Sequence, residues 1–230
     1  MALSHSPQIV TNGLVLALDA ANQKSYNTVT STSTWYDLSG NNKSGTLNGN
    51  ITYYSTNSGF LSFGLVSTTI DYVSLPANSI NTNADLTLNY WVKTPLPGSG
   101  GAYTLSSGYT ANSHLQVRYV AGGALQIIKS QITYMGTFSG FTAVSNAIYF
   151  LTITLTKSTN TWSLYVNGSF VSSFVSAQTF TTTSPTLGIN GLGNEERFAG
   201  NFYSFSYYNR ALSAAEVSQN FNAYRGRFGI

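Results

Sequence analysis

TLGINGLGNEERFAGNFYSFSYYNRALSAAEVSQNFNAYRGRFGI, residues Thr186–Ile230, is the stretch that decides the fold. It reads as a strand, a Gly-rich loop, an aromatic strand and one capped helix. Along Asn201–Tyr208, strict alternation puts Tyr203, Phe205 and Tyr207 on one face and Phe202 and Tyr208 on the other, with Ser204 and Ser206 between them. Aromatics on both faces imply cover on both faces, which suits a strand inside a sandwich. Ser213 and Glu216 then have the spacing of a capping box, and Leu212 and Val217 that of a hydrophobic staple. Val217, Phe221 and Tyr224 recur at helical spacing, and Gly226 is the expected stop.

Outward from this segment, the chain is a succession of short apolar or alternating runs. Leu14–Leu18, Leu47–Tyr54, Phe60–Phe63, Ile70–Leu75, Leu86–Lys93, Tyr103–Leu105, Leu115–Val120, Leu125–Ser130, Gln131–Met135 and Ile148–Thr156 all read as strands. In Leu86–Lys93, Leu86, Leu88, Tyr90 and Val92 share one face, and Thr87, Asn89 and Trp91 the other. The clearest hairpin is Trp162–Val166 and Ser169–Val175 joined by Asn167-Gly168, whose residue types supply the positive φ angles of a type I′ turn. SGNNKSG at Ser39–Gly45 and PLPGSGG at Pro95–Gly101 are turn or loop signals. Many short strands at this spacing predict an all-β, two-sheet antiparallel jelly-roll sandwich with one short C-terminal α-helix. The expected organisation is an N-terminal arm (1–12), a jelly-roll body (13–225) and a C-terminal tail (226–230).

Composition narrows the function. Only 7% of residues are charged, against the ~25% usual in soluble domains. Ser, Thr and Asn supply the polar surface instead, and such a surface tolerates close neighbours. The net charge of +3 rests on few groups, and no basic cluster exceeds Arg225 and Arg227, so no nucleic-acid partner is expected. The chain has no Cys, which removes disulfides, a thiol nucleophile and Cys-ligated zinc. No apolar run approaches the ~20 residues of a membrane helix, and MALSHSPQIV lacks the basic and apolar regions of a secretory signal.

RFAGNFYSFSYYNRALSAAEVSQNF resembles the closing segment of LamG-like domains of the concanavalin A-like lectin/glucanase superfamily. Four further segments agree in order: GLVLALDA at Gly13–Ala20, WYDLSG at Trp35–Gly40, Asp71-Tyr72-Val73, and LYVNG at Leu164–Gly168. The form that combines GLVLALDA with a GRFGI-like end resembles LamG-like proteins encoded by tailed bacteriophages, marine ones in particular. The resemblance implies a jelly roll and a virion setting.

The resemblance also suggests chemistry to look for. Glucanases share the fold, and glycoside hydrolysis needs two carboxyl groups flanking one bond, ~5–10 Å apart. The acids here are Asp19, Asp37, Asp71, Asp85, Glu195, Glu196 and Glu216; none are two apart, and Glu216 is explained as a helix cap. The two histidines, His5 and His114, offer no triad. Relatives often bind calcium through loop oxygens, which makes Asp37, Asn41, Asn194 and Glu195 candidate Ca²⁺ ligands, with no cofactor required. Asp37 and the asparagines read equally as closing turns through Asx hydrogen bonds. Tyr103 and Tyr109, near the PLPGSGG loop, are the candidate glycan contacts.

The arm has few apolar residues, and the tail mixes two guanidinium groups with an aromatic and an aliphatic side chain, a mixture enriched at interfaces. Ile9, Val10, Arg225, Arg227, Phe228 and Ile230 are therefore candidate contacts to neighbouring subunits, with the tail projecting past the body. The leading expectation is a non-enzymatic structural protein on the outer surface of a phage particle, a capsid decoration (cement) subunit assembled on other virion proteins. The alternative is a lectin-like adhesion module binding host glycans. A glycan hydrolase is a remote third.

Overall fold

The computed structural model describes residues 8–29, 33–64, 69–93, 102–107, 114–129, 133–181, 183–189 and 197–230. The strands in chain order are β1 (Leu14–Asp19), β2 (Thr34–Trp35), β3 (Gly45–Asn48), β4 (Thr52–Tyr54), β5 (Phe60–Phe63), β6 (Tyr72–Ser74), β7 (Leu86–Lys93) and β8 (Ala102–Ser106). They continue with β9 (Leu115–Tyr119), β10 (Leu125–Lys129), β11 (Thr133–Thr137), β12 (Ile148–Thr156), β13 (Thr161–Val166), β14 (Ser169–Val175), β15 (Thr186–Leu187) and β16 (Gly200–Tyr208). Helix α1 (Ala214–Tyr224) and a 3₁₀ turn at Arg225–Arg227 close the chain. Among the described residues no helix is long and apolar enough to cross a membrane.

The strands form two eight-stranded sheets. Sheet A runs β14-β13-β12-β7-β16-β5-β4, with β1 also paired to β16, and sheet B runs β11-β10-β9-β8-β15-β6-β3-β2. All pairings in both sheets are antiparallel, including those that flank β7 on β12 and β16. The sequence made this core legible where alternation is regular: Leu88, Tyr90 and Val92 of β7 join Leu151, Ile153 and Leu155 of β12 between the sheets. Val117, Tyr119, Leu125 and Ile127 meet them from sheet B.

Strand β16 departs from strict alternation. Its register with β7 shifts between Phe202 and Ser204, so Tyr203 is an inserted, bulged residue. Phe202 therefore shares the inner face with Phe205 and Tyr207, while Tyr203 and Tyr208 point outward. One extra residue reverses the phase on one side of the bulge, so the expected grouping of Tyr203 with Phe205 and Tyr207 is corrected. Leu47–Tyr54 is likewise two strands in different sheets, because Gly49 turns the chain at φ 85° between β3 and β4.

A third layer covers the outer face of sheet A. Trp91, Phe150, Tyr203 and Tyr208 form a second apolar cluster with Val10, Leu212 and Val217. Helix α1 starts as expected: Ser213 Oγ accepts from the Glu216 N–H, and the Glu216 carboxylate accepts from the Ser213 N–H at 2.9 Å. Arg210 clamps the same carboxylate at 2.6 and 2.9 Å. Arg210, then the Ser213 N–H, pull the Glu216 carboxyl down to about 2. The end of the helix differs from expectation. Gly226 is not a left-handed stop; the chain tightens into the 3₁₀ turn, and the positive φ falls at Gly229 (68°).

The tail does not project past the body. Phe228 stacks on Trp91 with ring centroids 4.2 Å apart. Arg227 donates to both carboxylate oxygens of Asp19 at 2.8 and 3.0 Å and to the Ser58 carbonyl at 3.0 Å. The arm is held in the same way: Val10 N–H donates to Asn220 Oδ1 at 2.8 Å, and the Tyr208 hydroxyl donates to the Val10 carbonyl at 2.8 Å. Val10, Arg227 and Phe228 thus spend their contact surface within the chain. The physical reason is that the outer face of sheet A is itself aromatic and must be covered. Ile9 is half-buried, and Arg225 and Ile230 remain exposed.

Candidate functional site

The acids decide what chemistry is available. Asp71 accepts from the Asn50 and Gly64 N–H groups at 2.6 and 2.8 Å, and Asp85 from the Lys157 N–H at 2.7 Å. Asp19 and Glu216 are each clamped by an arginine. Each described acid is thus engaged by backbone donors or a guanidinium, which is a structural use of a carboxylate. His114, buried, sits with Nδ1 2.6 Å from the Thr181 carbonyl oxygen.

Asp37 and Asn41 close one loop against β1. Asp37 Oδ1 accepts from the N–H groups of Ala17 and Ser39, both at 2.9 Å. Its Oδ2 accepts from the Ser39 hydroxyl at 2.7 Å and the Lys43 N–H at 3.0 Å. Burial pushes this carboxyl up, and the donors from Ala17, Ser39 and Lys43 more than reverse it, so it titrates below its ordinary range. Asn41 uses its amide N–H groups on the Leu14 and Val15 carbonyls. A carboxylate that accepts from four donors closes this turn. Asn194 and Glu195 lie outside the described residues, and among the described residues no three His, Cys, Asp or Glu side chains gather.

Of the two candidate glycan contacts, the backbone of Tyr103 runs beside a polar row on sheet B. The side chain of Tyr103, and all of Tyr109, lie outside the described residues. The backbone of Tyr103 is in β8, with its Cα paired to Arg118 of β9. Arg118 pairs in turn with Gln126 of β10, and Gln126 with Thr137 of β11. Val117, Tyr119, Leu125, Ile127 and Met135 point into the core, so Arg118, Gln126 and Tyr134 face away from it. Arg118 Nε donates to Gln126 Oε1 at 3.2 Å, and Gln126 Nε2 donates to Thr137 Oγ1 at 3.0 Å. The Tyr134 hydroxyl donates to the same Thr137 oxygen at 3.0 Å while its residue is 61% exposed.

This ladder fixes an aromatic ring in one orientation next to a line of amide, guanidinium and hydroxyl groups. Such a surface can stack against the apolar face of a ring and exchange hydrogen bonds along its edge. Sequence reading missed Tyr134, Gln126 and Thr137. A signal was present: polar or aromatic residues at the outward positions of three successive strands.

The family model described as the concanavalin A-like lectin/glucanases superfamily matches residues 67–218. Comparison with curated proteins finds no match in sequence. Solved structures share the fold. A chain of botulinum neurotoxin type C, whose cell entry depends on interaction with two ganglioside molecules, aligns with TM-score 0.73 at 13% identity, covering 93% of this chain and 52% of that one. The binding domain of Paraclostridial Mosquitocidal Protein 1 aligns at 0.67 with 20% identity, covering 93% and 53%. Domain 4 of AbnA, a GH43 extracellular arabinanase from Geobacillus stearothermophilus solved with arabinotriose, aligns at 0.67 with 17% identity, covering 90% and 97%. The chain spans about half the length of the two toxin chains and nearly all of the arabinanase domain. At these identities the likeness is one of fold, and with the matched model it leads to one conclusion: the chain belongs to the concanavalin A-like lectin/glucanase superfamily.

Proposed function

We propose that this protein is a non-enzymatic, lectin-like binding module carried on the outside of a tailed-phage particle, and that it contacts host glycans through the outer face of sheet B. The observation that carries the reading is Tyr134, an exposed ring held by Thr137 at the end of the Arg118–Gln126–Thr137 row. Neighbours of the same fold that engage gangliosides or arabinotriose support it. The engaged state of every described carboxylate supports a binding role over hydrolysis.

The test is a glycan array followed by titration of the best ligand. Tyr134→Ala should weaken binding by roughly tenfold, the scale of a lost aromatic contact, with the melting temperature little changed. Chelation with EDTA should leave binding unaltered, since the reading needs no cofactor. Unchanged affinity in Tyr134→Ala, or steady release of reducing ends from the bound glycan, overturns the proposal.

A capsid decoration subunit is the second reading, favoured by the surface itself. With only 7% charged residues, copies can lie close together on a particle with little mutual repulsion. Locating the chain by electron microscopy of a purified particle separates a decoration site on the capsid from a fibre tip.

A further inference from the structure

A separate cavity of about 150 Å³ lies on the opposite side of the sandwich, between sheet A and the layer that covers it. Leu18 of β1 and Phe205 of β16 face the core, so their neighbours Asp19, Ser204 and Ser206 face outward and form its floor. The register sets Asp19 opposite Ser204 and Ala17 opposite Ser206. Tyr224, in the last turn of α1, and Ile9 of the arm close it from above. Leu14 and Leu38 complete an apolar wall.

The chemistry of the lining is two-sided. Ser206 Oγ accepts from Asn89 Nδ2 at 3.2 Å, and its own hydroxyl bonds that of Tyr208. Ser204 and Tyr224 bring two further hydroxyl-bearing side chains to the same lining. Burial, then the Asp19 carboxylate, push the Tyr224 hydroxyl up to about 12, so it stays protonated and able to donate. Asp19 is neutralised by Arg227, whose guanidinium also lies 5.1 Å from the centre of the Tyr224 ring. An anion would meet the carboxylate, and a cation would compete with Arg227. A neutral ligand meets neither penalty.

From these observations we infer that the cavity is a second binding site, which takes one small neutral polyol of monosaccharide size. At about 150 Å³ it has room for several waters. Water alone would satisfy the hydroxyls but leave Ile9, Leu14 and Leu38 wetted, whereas a sugar ring offers a C–H face to them and hydroxyls to Ser204, Ser206 and Tyr224. The inference does not depend on the sheet B reading, because the two sites share no residue.

The test is methyl and aromatic NMR of the full chain, titrated with a panel of pentoses and hexoses. Signals of Ile9, Leu14, Leu38 and Tyr224 should shift saturably for at least one sugar, with a Kd on the order of 1 mM. Ala17→Leu, which fills the cavity from its floor, should weaken that response at least tenfold; Ser204→Val serves if Ala17→Leu does not fold. Tyr134→Ala should leave the response intact, which separates failure here from failure of the sheet B site. Absence of any saturable shift up to roughly 100 mM means a water-filled cavity and overturns the inference. So does a response that survives the filled variants or disappears in Tyr134→Ala.

Discussion

Gly168→Ala should be far more damaging than a glycine-to-alanine change in an ordinary turn, and the structure says by how much. Gly168 has φ 80° and follows Asn167 at φ 49°, the pattern of a type I′ hairpin. Left-handed backbone costs a residue with a Cβ about 1–2 kcal/mol. A second cost comes from the helix: a Cβ at Gly168 would stand 3.0–3.2 Å from three carbons of Phe221. Phe221 cannot simply swing aside, because its ring is stacked 5.7 Å from Trp91 and lies 6.1 Å from Phe150. Overpacking of this kind adds roughly 1–3 kcal/mol. Gly40 provides the control, with φ 87° and nothing within 4 Å of the place a Cβ would occupy. Urea unfolding midpoints should therefore fall by about 1–2 kcal/mol equivalent for Gly40→Ala and about 2–5 for Gly168→Ala. Equal losses would show that the hairpin does not press on the helix. No loss in either would refute the backbone argument itself.

The other expectations concern the covering layer. Arg227→Leu strands a carboxylate that is 9% exposed and should cost roughly 2–3 kcal/mol, less than a fully buried pair because Arg227 is 24% exposed; Asp19→Asn in the same chain should recover part of it by double-mutant cycle. Ser213→Ala should lower stability by ~1 kcal/mol in denaturant unfolding, the usual loss of an N-cap. The Glu216 carboxyl, depressed to about 2, contributes stability that is complete above its unfolded value near 4.5 and lost as pH falls toward 2. Solvent screening at this partly exposed site should hold that contribution to about 1 kcal/mol, and Glu216→Gln should flatten the pH profile of the melting temperature in this window.

Local pattern carried the parts of the fold that are locally determined. Leu86–Val92 alternate cleanly, Asn167-Gly168 can hardly be anything but a tight turn, and Ser213 with Glu216 announces the helix start. Three features were not legible, each for its own physical reason. The bulge at Tyr203 leaves no compositional mark, since aromatics stand on both sides of it. Phe228 and Arg227 find Trp91 and Asp19, partners 137 and 208 positions away by subtraction of residue numbers, which no window along the chain can relate. Tyr134 looks like one more strand aromatic until β9, β10 and β11 are laid side by side and its hydroxyl is seen to end a row. The PLPGSGG loop that singled out Tyr103 precedes β8, where the Tyr103 backbone pairs in register with Arg118.

The covering of sheet A also gives the molecule a direction. Gln219 holds the Gln8 carbonyl at 2.8 Å, and the Ile230 N–H reaches the Arg225 carbonyl at the end of α1, so both described ends of the backbone lie on the helix side. A neighbour joined through either end, or gripping the helix, would hold the sandwich from behind. The sheet bearing Tyr134 would then face away from the attachment point, like the palm of a hand held at the wrist. Orientation toward a distant surface would follow from the packing of a single aromatic layer, with no hinge or dedicated stalk needed to aim it.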